Sequence, residues 1–373
     1  MNPAVPTLDS NPATLMHSII KRIATGPELS KDISLEEARA GMRAILDAQI
    51  DPVRAGIFLI ALRMKRETDD ETRGVLEAIR EQTQTAAARV DELVDIADPY
   101  DGFNRSLPAA PFLPAVFAAC GVPAVSHGVE SMGPKYGVTH RQVLHAAGLP
   151  VSLSVNEAAA RLADPNVGWA YIDQKEFCPK LYQLTALRTL IVKRPVLTTV
   201  EVALGPLRAR GRTHIVTGYV HKPYPRIYAL LARHAGFDSA LIVRGVEGGV
   251  VPSLRQSGKA FRFHDRGEEH AVEFTPADFG IEQSVRAPQI PGTKEGEEGA
   301  DGGAPLDTAA AARAAAQAGM DTLQGSPGPT RDALVSAGAL CLWHLGRYAS
   351  LGAAADAVRE VLDNGKALAR TRS

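Results

Sequence analysis

The sequence predicts an α/β protein in which a small all-helical unit sits beside a larger domain built on a mostly parallel sheet covered by helices. Three observations predict it. Residues 16–88 carry successive helix caps, each followed by an apolar stripe of helical period. At Leu93 the pattern changes to a short, nearly continuous apolar run. Beyond it such runs alternate with helical segments, the pattern of parallel strands joined by crossover helices.

Residues 1–14 are polar and contain proline, so a frayed tail is expected. Ser34 and Glu37 form a capping box before Leu35, Ala38, Met42 and Ile45, whose spacing puts them on one face. Asp51 and Pro52 suit the N-cap and first turn of a second helix, whose stripe is read as Ile57, Ile60, Ala61 and Met64. Thr68 and Glu71 open a third, with Val75, Leu76 and Ile79 apolar. The strands expected next are LVDIAD from Leu93, VPAVSH after Gly121, Trp169 to Asp173, Ile215 to Val220 and Ala240 to Arg244. Helices are expected over 156–163, 223–234, 331–345 and 351–362, the last closed by Asn364 and Gly365. Residues 292–305 are rich in Gly and Glu and are expected to be a mobile surface excursion.

A chain of 373 residues with 45% apolar and 22% charged residues can bury a large core and falls among ordinary globular proteins. Its longest clean apolar run, Ile57 to Leu62, is far short of the roughly 20 residues a bilayer crossing needs. The N-terminus lacks a basic segment followed by an apolar one, and a cytoplasmic location with no membrane partner is expected. Cys120, Cys178 and Cys341 are widely spaced and suggest neither a disulfide framework nor a zinc site. His140, His145, His214, His221 and His234 show no ligand-like spacing. The net charge of -1 conceals a basic stretch: residues 175–234 hold eleven Lys and Arg against two acids, a local charge of +9.

Ligands of parallel sheets bind beyond the carboxyl ends of the strands, which directs attention to the loops after Asp98 and His127. Here the chain resembles the anthranilate phosphoribosyltransferases, a branch of a wider class that includes the pyrimidine nucleoside phosphorylases. The resemblance is carried by ALRMKRET from Ala61 to Thr68, GPTRDAL from Gly328 to Leu334 and LDNGKAL from Leu362 to Leu368. It implies a helical domain of residues 15–89 and 179–207, an α/β domain of 90–178 and 208–373, and an active site in the cleft between them. It also implies a homodimer paired through the helical domain.

The family binds phosphoribosyl pyrophosphate with Gly-Thr-Gly-Gly-Asp, Asn-x-Ser-Thr and Lys-His-Gly-Asn motifs, because glycine lets backbone N–H groups approach phosphate and lysine supplies charge. At these places the chain has Asp98-Pro99-Tyr100-Asp101-Gly102, Asn104-Arg105-Ser106-Leu107 and Ser126-His127-Gly128-Val129, with Lys135 downstream. Asp98, Asp101, Gly102, Asn104, Ser106, His127, Gly128 and Lys135 are therefore the donor-pocket candidates. Pro99 contributes no N–H, and Asp98 places negative charge where phosphate would lie. Two like charges about 4 Å apart repel by roughly 4 kcal/mol at an effective dielectric near 20, so binding of this donor is doubtful.

The family's magnesium-directed Asp-Glu pair falls on Val250 and Val251, leaving Glu247 as the nearby carboxylate. The arginine that contacts anthranilate falls on Arg188. An active enzyme would recruit Mg²⁺ through Asp98, Asp101 and Glu247 and hold an anionic acceptor on Arg188. The expectation is thus a pentosyl transferase with its substrate altered or its activity lost. The alternative is a non-catalytic paralogue, similar to a divergent branch of the family associated with nucleic-acid binding. It would use Lys193, Arg194, Arg208, Arg210, Arg212, Lys222 and Arg226 on phosphates.

Overall fold

The computed structural model describes residues 11–26, 28–292 and 306–372. The expected 292–305 excursion therefore lies outside the described residues except for Gly292, as does most of the expected N-terminal tail. Asn11 caps a first helix, α1 (Pro12–Ile23), so the helical unit begins inside the stretch expected to be tail. It continues with α2 (Leu35–Leu46), α3 (Pro52–Lys65) and α4 (Asp69–Glu81). The capping boxes at Ser34–Glu37 and Thr68–Glu71 are formed, and Asp51 accepts from the Arg54 N–H with Pro52 in the first turn. These caps satisfy backbone donors that a helix start leaves open.

One helix turns a different face to the core than expected. The buried residues of α3 are Ala55, Phe58, Leu59, Ala61 and Leu62. Ile57 and Met64, expected to face the core, are 36% and 71% exposed. The helix is apolar nearly all round, and period alone cannot phase such a helix. The helical run also stops earlier than expected. Ala86–Ala88 is a strand, β1, paired in parallel with β5 (Leu207–Ala209) beneath the helices.

The main sheet has seven strands in the order β4-β3-β2-β6-β7-β8-β9. Its five parallel members are β2 (Glu92–Ala97), β3 (Ala124–Gly128), β4 (Trp169–Asp173), β6 (Arg212–Gly218) and β7 (Ser239–Val243). All five fall on the expected strands. An antiparallel pair outside those expectations, β8 (Gly258–Phe263) and β9 (His270–Phe274), extends one edge. Burial on both faces explains the continuous apolar runs. Ile215 and Ile242 join the core shared with the helical unit, while Val216 and Leu241 face a second core under the C-terminal helices. Each such side chain stabilises the fold by about 1.5–3 kcal/mol on removal from water.

The chain runs outward from β2 through β3 to β4, then returns to β6 on the other side of β2. The reversal opens a crevice at the carboxyl ends of β2 and β6. Segments 179–182, 185–191 and 197–200 are helical and lie against the first helices, with Thr185–Ile191 contacting α3 and Leu197–Val200 contacting α4. Among the described residues no helix is long and apolar enough to cross a membrane.

Candidate active site

The crevice holds a cavity of about 130 Å³ walled by Ala97 and Pro99 after β2, Thr217 to His221 at the end of β6, and Glu247 and Gly248 after β7. The helical unit closes it with Arg63, Arg194 and Thr198, and the helix Tyr224–His234 after β6 adds Tyr224 and Tyr228. Arg63 lies over the Tyr224 ring at 5.5 Å, and Tyr224 and Tyr228 pack with centroids 5.8 Å apart. The floor is tight. A Cβ on Gly218 would lie 2.1 Å from the Gly249 carbonyl oxygen, and one on Gly245 1.6 Å from the same atom, so both positions require glycine.

The loop after β2 is joined to the loop carrying Lys135. Phe103 and Val138 exchange backbone hydrogen bonds of 2.9 and 2.7 Å, and the Gly137 N–H donates to the Asp101 carbonyl at 2.8 Å. This pairing brings Asn104, Ser106 and Lys135 together around Glu247. The Asn104 and Arg105 N–H groups each donate to its carboxylate at 3.0 Å, the Ser106 hydroxyl at 2.8 Å, and the Lys135 ammonium stands 2.6 Å away. Burial alone would raise the Glu247 pKa. The Lys135 charge and the hydrogen bonds from Lys135, Asn104 and Ser106 outweigh it and hold the carboxyl below its ordinary value.

The other acids of the cleft are paired in the same way. Asp98 is 2% exposed, accepts from the Val250 N–H at 2.7 Å and meets His140 Nε2 at 2.8 Å. Asp101, also 2% exposed, binds the Arg194 guanidinium at 2.6 and 2.8 Å. Among the described residues no three His, Cys, Asp or Glu side chains cluster as a metal site. Both oxygens of Asp98 and of Glu247 and one oxygen of Asp101 meet histidine, cations, N–H groups or a hydroxyl, and Val250 is 1% exposed. The residues present therefore do not fit Mg²⁺, and Glu247, expected as the metal-directed acid, holds loop donors and Lys135 instead.

Two further sets of expected site residues are buried. His127 does not line the cavity: it is 1% exposed, with Nε2 2.8 Å from Asp95 and Nδ1 on the Tyr100 hydroxyl. Gly128 is buried behind it against Tyr171. Arg188 was expected to greet an acceptor, but it is 1% exposed and binds Glu201 through two hydrogen bonds of 2.6 and 2.8 Å. Its guanidinium also donates to the Thr198 hydroxyl at 3.1 Å, and together these bonds brace helix 185–191 against the Leu197–Ala203 stretch.

The basic candidates divide. Arg208 is only partly exposed: its guanidinium lies 3.9 Å from the Phe237 ring centroid and donates to the Gly205 and Ala235 carbonyls, and burial pushes its pKa down to about 10. These contacts tie its guanidinium to the fold. Arg194 is tied to Asp101, Arg212 to Asp265 at 3.3 Å and Arg226 to Asp69 at 2.6 Å. Lys193, Arg210 and Lys222 are exposed. Sequence reasoning missed Arg63, Tyr219, Tyr224 and Tyr228 as cleft residues. Arg63 stands within the ALRMKRET motif, but nothing local reveals which way its side chain turns.

An α/β sheet with a ligand crevice at its strand reversal, closed by a helical bundle, defines a two-domain transferase architecture. Residues 17–83 match the glycosyl transferase family helical bundle domain and residues 98–368 match the glycosyl transferase family a/b domain. The chain belongs to this family, that of the anthranilate phosphoribosyltransferases. The Rhodopseudomonas palustris (strain BisA53) anthranilate phosphoribosyltransferase is 29% identical over 357 residues, covering 95% of each chain. A protein of Aquifex aeolicus (strain VF5) with no assigned activity is 30% identical over 238 residues, 64% of this chain and 71% of that one. The fold also matches anthranilate phosphoribosyltransferase from Saccharomyces cerevisiae in complex with PRPP and Mg. That match has a TM-score of 0.77 at 14% identity and covers 97% of this chain and 96% of that one.

Proposed function

We infer that this chain is a phosphoribosyltransferase-type glycosyl transferase whose cleft takes a pentosyl ligand other than magnesium-bound phosphoribosyl pyrophosphate, with anthranilate transfer lost. The observation that carries this reading is the pair Val250 and Val251 on the turn after β7, where one buried and one half-buried apolar side chain replace metal-directed acids. Tyr219, Tyr224 and Tyr228 with Arg63 offer aromatic faces and one cation to a flat ring bearing negative charge. Catalysis of this kind is positioning and electrostatic support of a leaving group, so a changed cradle changes the substrate first. The test is anthranilate consumption with phosphoribosyl pyrophosphate and Mg²⁺, followed by a melting-temperature screen of pentosyl compounds. No consumption and a rise with at least one pentosyl compound are expected. Turnover within the range of roughly 1–10³ s⁻¹ typical of enzymes would overturn the altered donor.

The exposed cations Lys193, Arg210 and Lys222 favour a second reading, a nucleic-acid-binding paralogue. Stabilisation by an oligonucleotide and by no pentosyl compound would select it. In either reading the protein is a homodimer, its contact the apolar face formed by Val53, Ile57 and Met64 of α3 with Leu190 and Val192 beside them, all at least 36% exposed.

A further inference from the structure

We propose that a recess at the amino ends of β6 and β7, at the opposite end of the sheet from the cleft, binds a small aromatic carboxylate, with Arg262 on the acid group and Trp343, Tyr348 and His264 against the ring. The recess has a volume of about 610 Å³ and lies between the end of β8 and the last turn of the helix Pro329–His344 with the residues after it. Arg262, His264, His344 and Arg347 line it, and among the described residues no carboxylate does. Its field therefore favours an anion.

Arg262 is the cation left without a partner. Its guanidinium lies 4.1 Å from the Trp343 ring centroid. Arg347 meets Glu92 and Arg212 meets Asp265, whereas burial lowers the Arg262 pKa with no acid beside it to offset the loss. A guanidinium laid on an indole face keeps its N–H edge free as a flat fork, which matches a carboxylate through two parallel hydrogen bonds. The aromatic faces of Trp343, Tyr348 and His264 would cover a planar ring attached to that acid.

The wall behind is held in place by a buried relay. The His264 and His344 rings stack with centroids 4.4 Å apart. His344 Nε2 lies 2.9 Å from the Ser239 hydroxyl, which lies 2.7 Å from His214 Nδ1, and His214 Nε2 faces Glu92 at 3.2 Å. His214 and Arg347 hold the Glu92 carboxyl at about 2 against burial, so Glu92 is ionised and keeps a proton on His214 Nε2. Nδ1 of His214 then accepts from Ser239, which accepts from His344 Nε2. Burial keeps His344 neutral, so it backs the His264 ring without adding charge.

His264 itself is exposed and gives the site a pH dependence. Partial burial lowers its pKa, the charges of Arg262, His214 and Arg212 lower it further, and Asp265 opposes them. A carboxylate seated on Arg262 cancels part of that positive field and raises the His264 pKa again. Binding thus takes up a proton: it is tightest below the free His264 value and weakens as pH rises through the bound value.

The test titrates benzoate, acetate and inorganic phosphate calorimetrically into the full chain. Benzoate should saturate at millimolar concentration and bind at least about tenfold more tightly than acetate or phosphate, and Arg262→Gln should lose at least about tenfold in benzoate affinity. The parent should bind benzoate more tightly at about pH 5.5 than at about pH 8, and His264→Asn should lose that difference. No saturable benzoate binding, or equal affinity in parent and Arg262→Gln, would overturn the site. Phosphate bound as tightly as benzoate would overturn the aromatic carboxylate, and tightening that persists in His264→Asn would remove that residue from it. Should Arg262→Gln fail to fold, Arg262→Lys keeps the charge and loses the fork; it should bind benzoate more weakly than the parent, and equal affinity would overturn the proposal. The recess is remote from the cleft, so these outcomes do not depend on the transferase reading.

Discussion

Glu247 and Arg188 are both charged side chains withdrawn from water, and they are compensated in opposite ways. Glu247 is held by backbone N–H groups, a hydroxyl and a lysine, donors that would serve any oxyanion. Arg188 is held by the carboxylate of Glu201, 13 residues along the same stretch of chain and itself touched by Gln174 at 3.3 Å, and by the Thr198 hydroxyl. Another oxyanion could take the place of Glu247 among such donors, whereas Arg188 is already paired with a carboxylate of its own chain. The comparison separates a site from a brace, although the two look alike by burial alone.

The largest effect should come from breaking the brace. Removing one partner of a buried ion pair leaves an uncompensated charge, so Arg188→Ala or Glu201→Ala should cost about 3–5 kcal/mol in urea unfolding. Arg188→Met combined with Glu201→Leu should cost less than either single change. A loss below about 1 kcal/mol for both single variants would mean that the pair is solvated and Arg188 is open to ligand after all.

Next in size is the helical face on the far side of the brace. A charge at Met64 or Leu190, 71% and 77% exposed, should be tolerated by the folded monomer and should weaken the proposed dimer by roughly tenfold or more. Sedimentation showing the same oligomer for parent and Met64→Glu would move the interface elsewhere.

The donors around Glu247 should leave a mark on the pH dependence of stability. Its carboxyl is held below the ordinary value, so the folded state gains from the charged form above the unfolded pKa, near 4.5. That gain is lost as pH falls through the folded value. The melting-temperature advantage of the parent over Glu247→Gln should thus be full at neutral pH and shrink below about pH 4.5. An advantage unchanged down to acid unfolding would show that the charge is not what these donors hold.

The smallest effect concerns the exposed cations. Replacing Lys193, Arg210 and Lys222 by Ala should lower the salt slope of oligonucleotide binding by about one for each phosphate no longer neutralised. Replacing Arg208 instead should damage stability, because its guanidinium is engaged by Phe237 and two carbonyls. An unchanged slope in the triple variant would remove these residues from any nucleic-acid surface.

The scaffold is legible in the sequence because its signals are local. Ser34 and Glu37, or Thr68 and Glu71, stand three residues apart, and burial on both faces writes β2, β3, β4, β6 and β7 as short apolar runs. The strand at Gly258–Phe263 is harder to see, since Lys259 and Arg262 interrupt its apolar character. Asn104, Ser106 and Lys135 can be named as cleft candidates from motif positions. Their convergence on Glu247 cannot, for it depends on the Phe103–Val138 pairing and on a turn carried by another strand. Asp98 reads in the sequence as an unpaired charge facing phosphate, yet His140 and the Val250 N–H compensate it across 42 and 152 residues of chain.

The claim that the cleft satisfies its own carboxylates is tested most directly by the melting temperature of the parent protein with Mg²⁺ and millimolar phosphoribosyl pyrophosphate. A ligand at a hundred times its dissociation constant adds about 2.7 kcal/mol to the folded state, which raises the melting temperature of a protein of this size by several degrees. No resolvable shift is predicted, because Glu247 occupies the loop donors, Arg194 holds Asp101, and Val250 and Val251 give the metal no ligand. A Mg²⁺-dependent rise of several degrees that disappears in Asp101→Ala would contradict it.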